Sequence, residues 1–257
     1  MKPFAPGRYN YGVIWVAALL GIGLGPVLVR AADRWCPTPA TGRDRWLGAL
    51  VLAGALTALA ARLPAAFAHV ATVRLPAADH LAAVVAAHAP AGHGPLATVP
   101  DCAAHGVVTA CGATPLIVTA CYFPLACLGL VLARVDLAAL RLPDGLVLPA
   151  YPMVGVPLIL VAPGGTPRAL LAATSCLIGY AALCAAGGLG FGDVKLGGVL
   201  GLATGWVSWR AVVAAVLIGL CCGAAHAVAR RLPGNRGPVP YGPAMLAGAL
   251  AALTIPW

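Results

Sequence analysis

The stretch AVVAAVLIGLCCGAAHAVA, residues 211–229, is uncharged from end to end. An apolar run of roughly 18 or more residues is long enough to cross a bilayer. Comparable runs recur along the chain. They predict eight spans, at 11–29, 46–66, 107–132, 145–163, 169–189, 194–208, 211–229 and 239–256. Composition agrees, with a mean hydropathy of +0.93. Only 9% of residues are charged, against about 25% in a soluble domain. The expected fold class is all-α, a polytopic helical membrane protein with about eight transmembrane helices. Abundant alanine, glycine and proline fit helices whose neighbours supply close packing and spare hydrogen bonds.

Two regions are expected. Residues 1–106 form an N-terminal membrane region with the first two spans and a histidine-containing extramembrane segment. Residues 107–257 form the membrane core. The segment 67–106 holds His69, His80, His88, His93 and His105. It reads as extramembrane or interfacial, with room for a short amphipathic helix over 77–91. The basic start before the first span is not followed by a clean small-residue cleavage site, because GPVLVRAADRWCP carries arginines. That span is expected to be retained.

The net charge of +9 comes from scattered arginines, without a basic cluster. Positive loops orient membrane proteins, and no nucleic-acid partner is implied. Arg30, Arg34, Arg43, Arg45, Arg134, Arg141, Lys195, Arg230, Arg231 and Arg236 fall on one side of the predicted spans. Lys2, Arg8, Arg62, Arg74, Arg168 and Arg210 fall on the other. The richer side is expected to be cytoplasmic, with both termini outside.

All seven acids are aspartates: Asp33, Asp44, Asp79, Asp101, Asp136, Asp144 and Asp193. Asp193 lies in GGLGFGDVKLGGVLG, residues 187–201, amid glycines and aliphatics. An ionisable group in a membrane segment is costly and marks a functional candidate. Gly190 and Gly192 allow other backbone to approach its carboxylate. Asp193 could instead cap the sixth helix and pair with Lys195. Asp136 ends the third predicted span. It could serve as an interfacial charge or pair with Arg134 or Arg141. Asp144, in Pro143-Asp144-Gly145, has an ordinary turn or cap reading.

Asp136 and Asp193 are separated by two predicted crossings, so both belong at the same membrane surface. Carboxylates sharing a site titrate as a coupled pair. One member can take a proton from water while the other donates to a peptide carbonyl oxygen, which is the chemistry of aspartic proteases. It requires no metal and no cofactor.

GFGD followed by VKLGGVLGLATGW resembles the signature of the type IV prepilin peptidases, a family of GxGD intramembrane aspartic proteases. DLAALRLPDGLVLP, residues 136–149, is similar to that family's other element, an aspartate followed eight residues later by Pro-Asp. VPYGPAMLAGALAAL, residues 239–253, resembles its Pro-Phe-Gly-Pro segment, with Tyr241 in place of phenylalanine. The resemblance covers residues 107–257. It implies an intramembrane endopeptidase with Asp136 and Asp193 as catalytic aspartates. Gly190, Gly192, Lys195 and Asp144 would support the site. The implied partners are a prepilin or pseudopilin precursor, with a basic leader and an apolar helix, and membrane lipid. The implied location is the inner (cytoplasmic) membrane, with the active site facing the cytoplasm.

The N-terminal half departs from that pattern. Bifunctional members of the family carry two Cys-x-x-Cys pairs, whereas this chain has Cys36 alone in RWCPTPATGRDRW. A zinc site needs about four ligands, so no methyltransferase activity is expected. Most of the other cysteines (Cys102, Cys111, Cys121, Cys127, Cys176, Cys184, Cys221 and Cys222) lie in apolar segments and read as small buried hydrophobes. The histidines form no HExxH or His-x-His group, and no GxSxG or phosphate-binding loop occurs. The alternative function is a small proton- or cation-coupled transporter that uses the intramembrane aspartates as a relay.

Overall fold

The computed structural model describes residues 11–67, 114–161, 163–232, 237 and 239–255. Among these residues the secondary structure is helical. The helices are α1 (Tyr11–Ala32), α2 (Gly42–Phe67), α3 (Thr114–Ala139), α4 (Asp144–Val147), α5 (Ala150–Val161), α6 (Thr166–Ala185), α7 (Phe191–Val207), α8 (Trp209–Arg231) and α9 (Gly242–Thr254). Within the described residues each predicted span meets a helix or, for 145–163, α4 and α5 together, while 107–113 of the third span lie outside them. Among the described residues five stretches are long and apolar enough to cross a membrane: Trp15–Trp35, Gly42–Arg62, Ala120–Ala139, Pro163–Ala185 and Trp209–Arg231. Asp144–Leu160 and Gly242–Thr254 are apolar but shorter. Large apolar side chains such as Leu50, Leu160, Ile178 and Leu217 face outward, as lipid-facing residues of a helical membrane protein do. The segment 68–113, with its five histidines, Asp79, Asp101, Cys102 and Cys111, lies outside the described residues.

Helix α7 stands at the centre. From Asp193 to Val207 every residue except Lys195 is buried. Its glycines explain how. A Cβ on Gly201 would lie 2.8 Å from Cys176 Sγ and 2.9 Å from the Ala172 carbonyl oxygen of α6. One on Gly205 would lie 2.6 Å from Ala172 Cβ. Gly197 faces the Tyr180 ring in the same way. Glycines spaced four apart put one helix face against another at backbone distance. A short glycine-rich sequence therefore makes an interior helix, sheathed by α5, α6, α8 and α9.

Helices α1 and α2 form a close pair, with Gly21 against Ala53 and Gly25 against Ala49. The pair packs on α3, and α2 also touches α9. At the α1–α2 loop, Asp33 Oδ1 accepts from the Ala40 amide at 2.9 Å. Asp44 and Thr41 cap α2 reciprocally: Asp44 Oδ2 accepts from the Thr41 amide at 2.9 Å, and the Asp44 amide donates to Thr41 Oγ1 at 3.3 Å. Asp44 thus caps the start of α2, and Asp33 ties the loop that precedes it.

Helix α3 runs past its expected end at 132 to Ala139. Charge alone did not stop it, because both polar side chains near its end find partners elsewhere in the bundle. Arg134 donates to the Thr38 carbonyl at 3.3 Å, and Asp136 is met by the start of α9. Asp136 therefore sits about one turn inside α3 and does not close it. Leu140 then takes a left-handed conformation, φ 52°, and turns the chain away.

Candidate active site

Five of the seven aspartates are described, and two of them are buried. Asp136 is 4% exposed and Asp193 7%. Both line one cavity of about 1010 Å³. It opens where the C-terminal ends of α3, α6 and α8 meet the N-terminal ends of α7 and α9. The carboxylates are close enough to interact electrostatically. Placement of both side chains at one end of the bundle agrees with the even number of crossings between them.

Asp136 is positioned by a distant segment. Its Oδ2 accepts from the Gly242 amide at 2.8 Å, a buried hydrogen bond. A Cβ at Gly242 would lie 2.9 Å from the same oxygen, so only glycine lets that amide come so near. The ion pair with Arg134 or Arg141 weighed from sequence does not form. Arg134 turns to Thr38, and the one ion pair among the described residues joins Lys195 to Asp144.

Asp193 is the third residue of α7. Its Oδ2 accepts from the Gly190 amide at 3.1 Å, while its own amide donates to the Gly190 carbonyl at 3.0 Å. That is the carboxylate half of a helix cap, so the capping reading holds. Its other oxygen, Oδ1, is buried without a hydrogen-bond partner. Such an atom carries the full desolvation cost, so capping alone does not account for the residue. The pairing with Lys195, the other half of that alternative, does not form.

Lys195 points instead to Asp144, with Nζ 2.6 Å from Oδ1. It also lies 4.8 Å from the Phe191 ring centroid, within cation–π range. Asp144 opens α4 as its first residue, after extended Pro143, so the turn or cap read at 143–145 is a helix start without a side-chain cap bond. The ion pair ties the segment after Asp136 to the helix that carries Asp193.

The glycines have separate tasks. A Cβ on Gly192 would meet Leu142 Cβ at 2.8 Å, so Gly192 lets the α3–α4 linker lie against the first turn of α7. Gly190 supplies the amide that holds Asp193. Gly187, φ +80°, ends α6. The Gly188 amide donates to the Leu183 carbonyl at 3.1 Å and the Gly187 amide to Cys184 at 2.9 Å, the paired bonds of a Schellman stop. No cluster of three or more metal-ligating side chains occurs among the described residues.

Gly242 was the member that motif reading passed over. Its signal was present, since a Gly-Pro pair marks the start of a helix, where the first amide is free for an outside acceptor.

Residues 123–228 match the model of the type IV leader peptidase family, the family that the motifs resemble. The matched segment contains Asp136, Asp144, the GFGD loop and Lys195, and it ends before Tyr241 and Gly242. No curated protein and no solved structure matches the chain.

Proposed function

We propose that this chain, with its type IV leader peptidase match over residues 123–228, is an intramembrane aspartic endopeptidase. It removes the basic leader from prepilin-like precursors at the cytoplasmic face of the inner membrane. One observation carries the reading: the two buried aspartates of the matched segment line a single cavity. Two carboxylates that share a site hold one proton between them more readily than none.

In the proposed reaction a water lies between Asp136 and Asp193. The ionised carboxylate takes a proton as the water oxygen bonds to the scissile carbonyl carbon. The protonated partner donates to the carbonyl oxygen, giving a gem-diol. Collapse of the diol breaks the C–N bond, and the departing amine takes up a proton from the dyad. The scissile segment must unwind first, because helical peptide groups are tied in their own hydrogen bonds. Lys195 and Asp144 keep the two motif-bearing segments in register, and Gly190 and Gly192 bring the backbone to Asp193. No cofactor is assigned. The lone Cys36 and the lack of any Cys-x-x-Cys pair favour a peptidase without N-methyltransferase activity.

The test is cleavage of a synthetic precursor, with a basic leader, a glycine and an apolar helix, by purified chain in liposomes. Wild type should release the leader. Asp136→Asn and Asp193→Asn should each be inactive while still inserting in the membrane. Full processing by either variant, or none by wild type, would overturn the reading.

A further inference from the structure

The two-carboxylate mechanism leaves one buried polar group of the cavity unused, the phenol of Tyr241. Tyr241 precedes α9, and its carbonyl accepts from the Ala244 and Met245 amides at 3.0 and 3.2 Å. Its ring occupies a slot beside α8 that exists because residue 223 is glycine; a Cβ there would collide with ring atom Cε2. The next residue, Gly242, donates to Asp136. The ring is thus fixed through backbone on one side and packing on the other.

Its hydroxyl oxygen is buried and meets no hydrogen-bond partner. Asp193 Oδ1 is in the same condition. Both residues line the cavity, and they lie within electrostatic range of each other. An unpaired buried hydroxyl lowers stability. Phenylalanine would fill the same slot without that cost, so packing does not explain the oxygen. The cationic donors on the cavity wall, Arg141 and Arg231, are exposed. Tyr241 offers a neutral donor, buried and within electrostatic range of Asp193.

We infer that Tyr241 Oη donates a hydrogen bond to the carbonyl oxygen of the peptide bond cleaved between Asp136 and Asp193. The inference rests on the peptidase reading. The phenol transfers no proton and stays neutral. It holds the carbonyl oxygen while the water adds and negative charge gathers there. A donor aimed at developing charge acts mainly on the chemical step. Its loss therefore falls on kcat more than on KM.

The experiment compares purified wild type, Tyr241→Phe and Asp193→Asn on the leader-bearing precursor, with kcat, KM and thermal unfolding measured for each. Tyr241→Phe should lower kcat by about 10-fold or more, with KM nearly unchanged. Its Tm should equal or exceed that of wild type, because an unsatisfied hydroxyl has been removed. A Tyr241→Phe enzyme with wild-type kcat, beside an inactive Asp193→Asn, overturns this inference and leaves the peptidase standing. A fall in Tm that accompanies the lost activity assigns the hydroxyl a structural partner and also overturns it. A wild type that cleaves nothing overturns both.

Discussion

Lys195 and Asp144 form an ion pair 2.6 Å long between segments 51 residues apart. Lys195 interrupts the otherwise buried run of α7, and Asp144 opens α4. The pair therefore bridges the two stretches that hold the buried aspartates. Asp144 is 60% exposed, so solvent screens the attraction and its contribution to stability is small, about 0.2–1 kcal/mol. Its geometric role is larger than its energetic one.

Lys195→Met and Asp144→Asn should each shift thermal unfolding only slightly while slowing precursor cleavage several-fold. The double variant should be no slower than the worse single variant. Additive losses in a double-mutant cycle would show that the two side chains act separately.

Gly242→Ala should be far more damaging than its size suggests. The added carbon would lie 2.9 Å from Asp136 Oδ2, so either the carboxylate or the start of α9 must move. Cleavage should fall by about 100-fold, the scale of loss that follows from misplacing a reacting group by about 1 Å. The chain should still insert. Wild-type rates from this variant would show that Asp136 tolerates a different position.

Gly201→Ala tests the seam between α6 and α7. Overpacking a filled interior costs about 1–3 kcal/mol, and here the new carbon would meet Cys176 Sγ and the Ala172 carbonyl. The unfolding midpoint in detergent should drop. Gly54→Ala is the control, since a Cβ there meets nothing within 4 Å.

Leu140→Gly should raise stability. Leu140 is held at φ 52°, a left-handed conformation that costs a side-chain-bearing residue about 1–2 kcal/mol. Its side chain is 43% exposed, so little packing is forfeited. Thermal unfolding should shift upward with cleavage retained. A lower midpoint would mean that the leucine side chain contributes more than the strain removes.

Hydropathy located the helices because bilayer length is written directly in apolar run length. The end of α3 was missed for a physical reason. Arg134 and Asp136 read as interfacial charges, yet each meets a group that no local pattern reveals, the Thr38 carbonyl and the Gly242 amide. Asp193 was legible because a carboxylate among glycines has few ordinary explanations. Its neighbour misled: Lys195 lies two residues away, but consecutive helix positions diverge around the axis, and the lysine faces Asp144. Asp33 and Asp44 could be ranked only once the loop bond of the first and the capping bonds of the second were seen.

The amide that fixes Asp136 comes from Gly242, 106 residues later in the chain. A polypeptide still leaving the ribosome, with α9 not yet made, lacks that clamp. Under the peptidase reading the enzyme would stay inert during its own synthesis and gain cutting power only when α9 inserts. Truncation before that helix would leave a harmless membrane protein with both aspartates in its sequence and no working scissors.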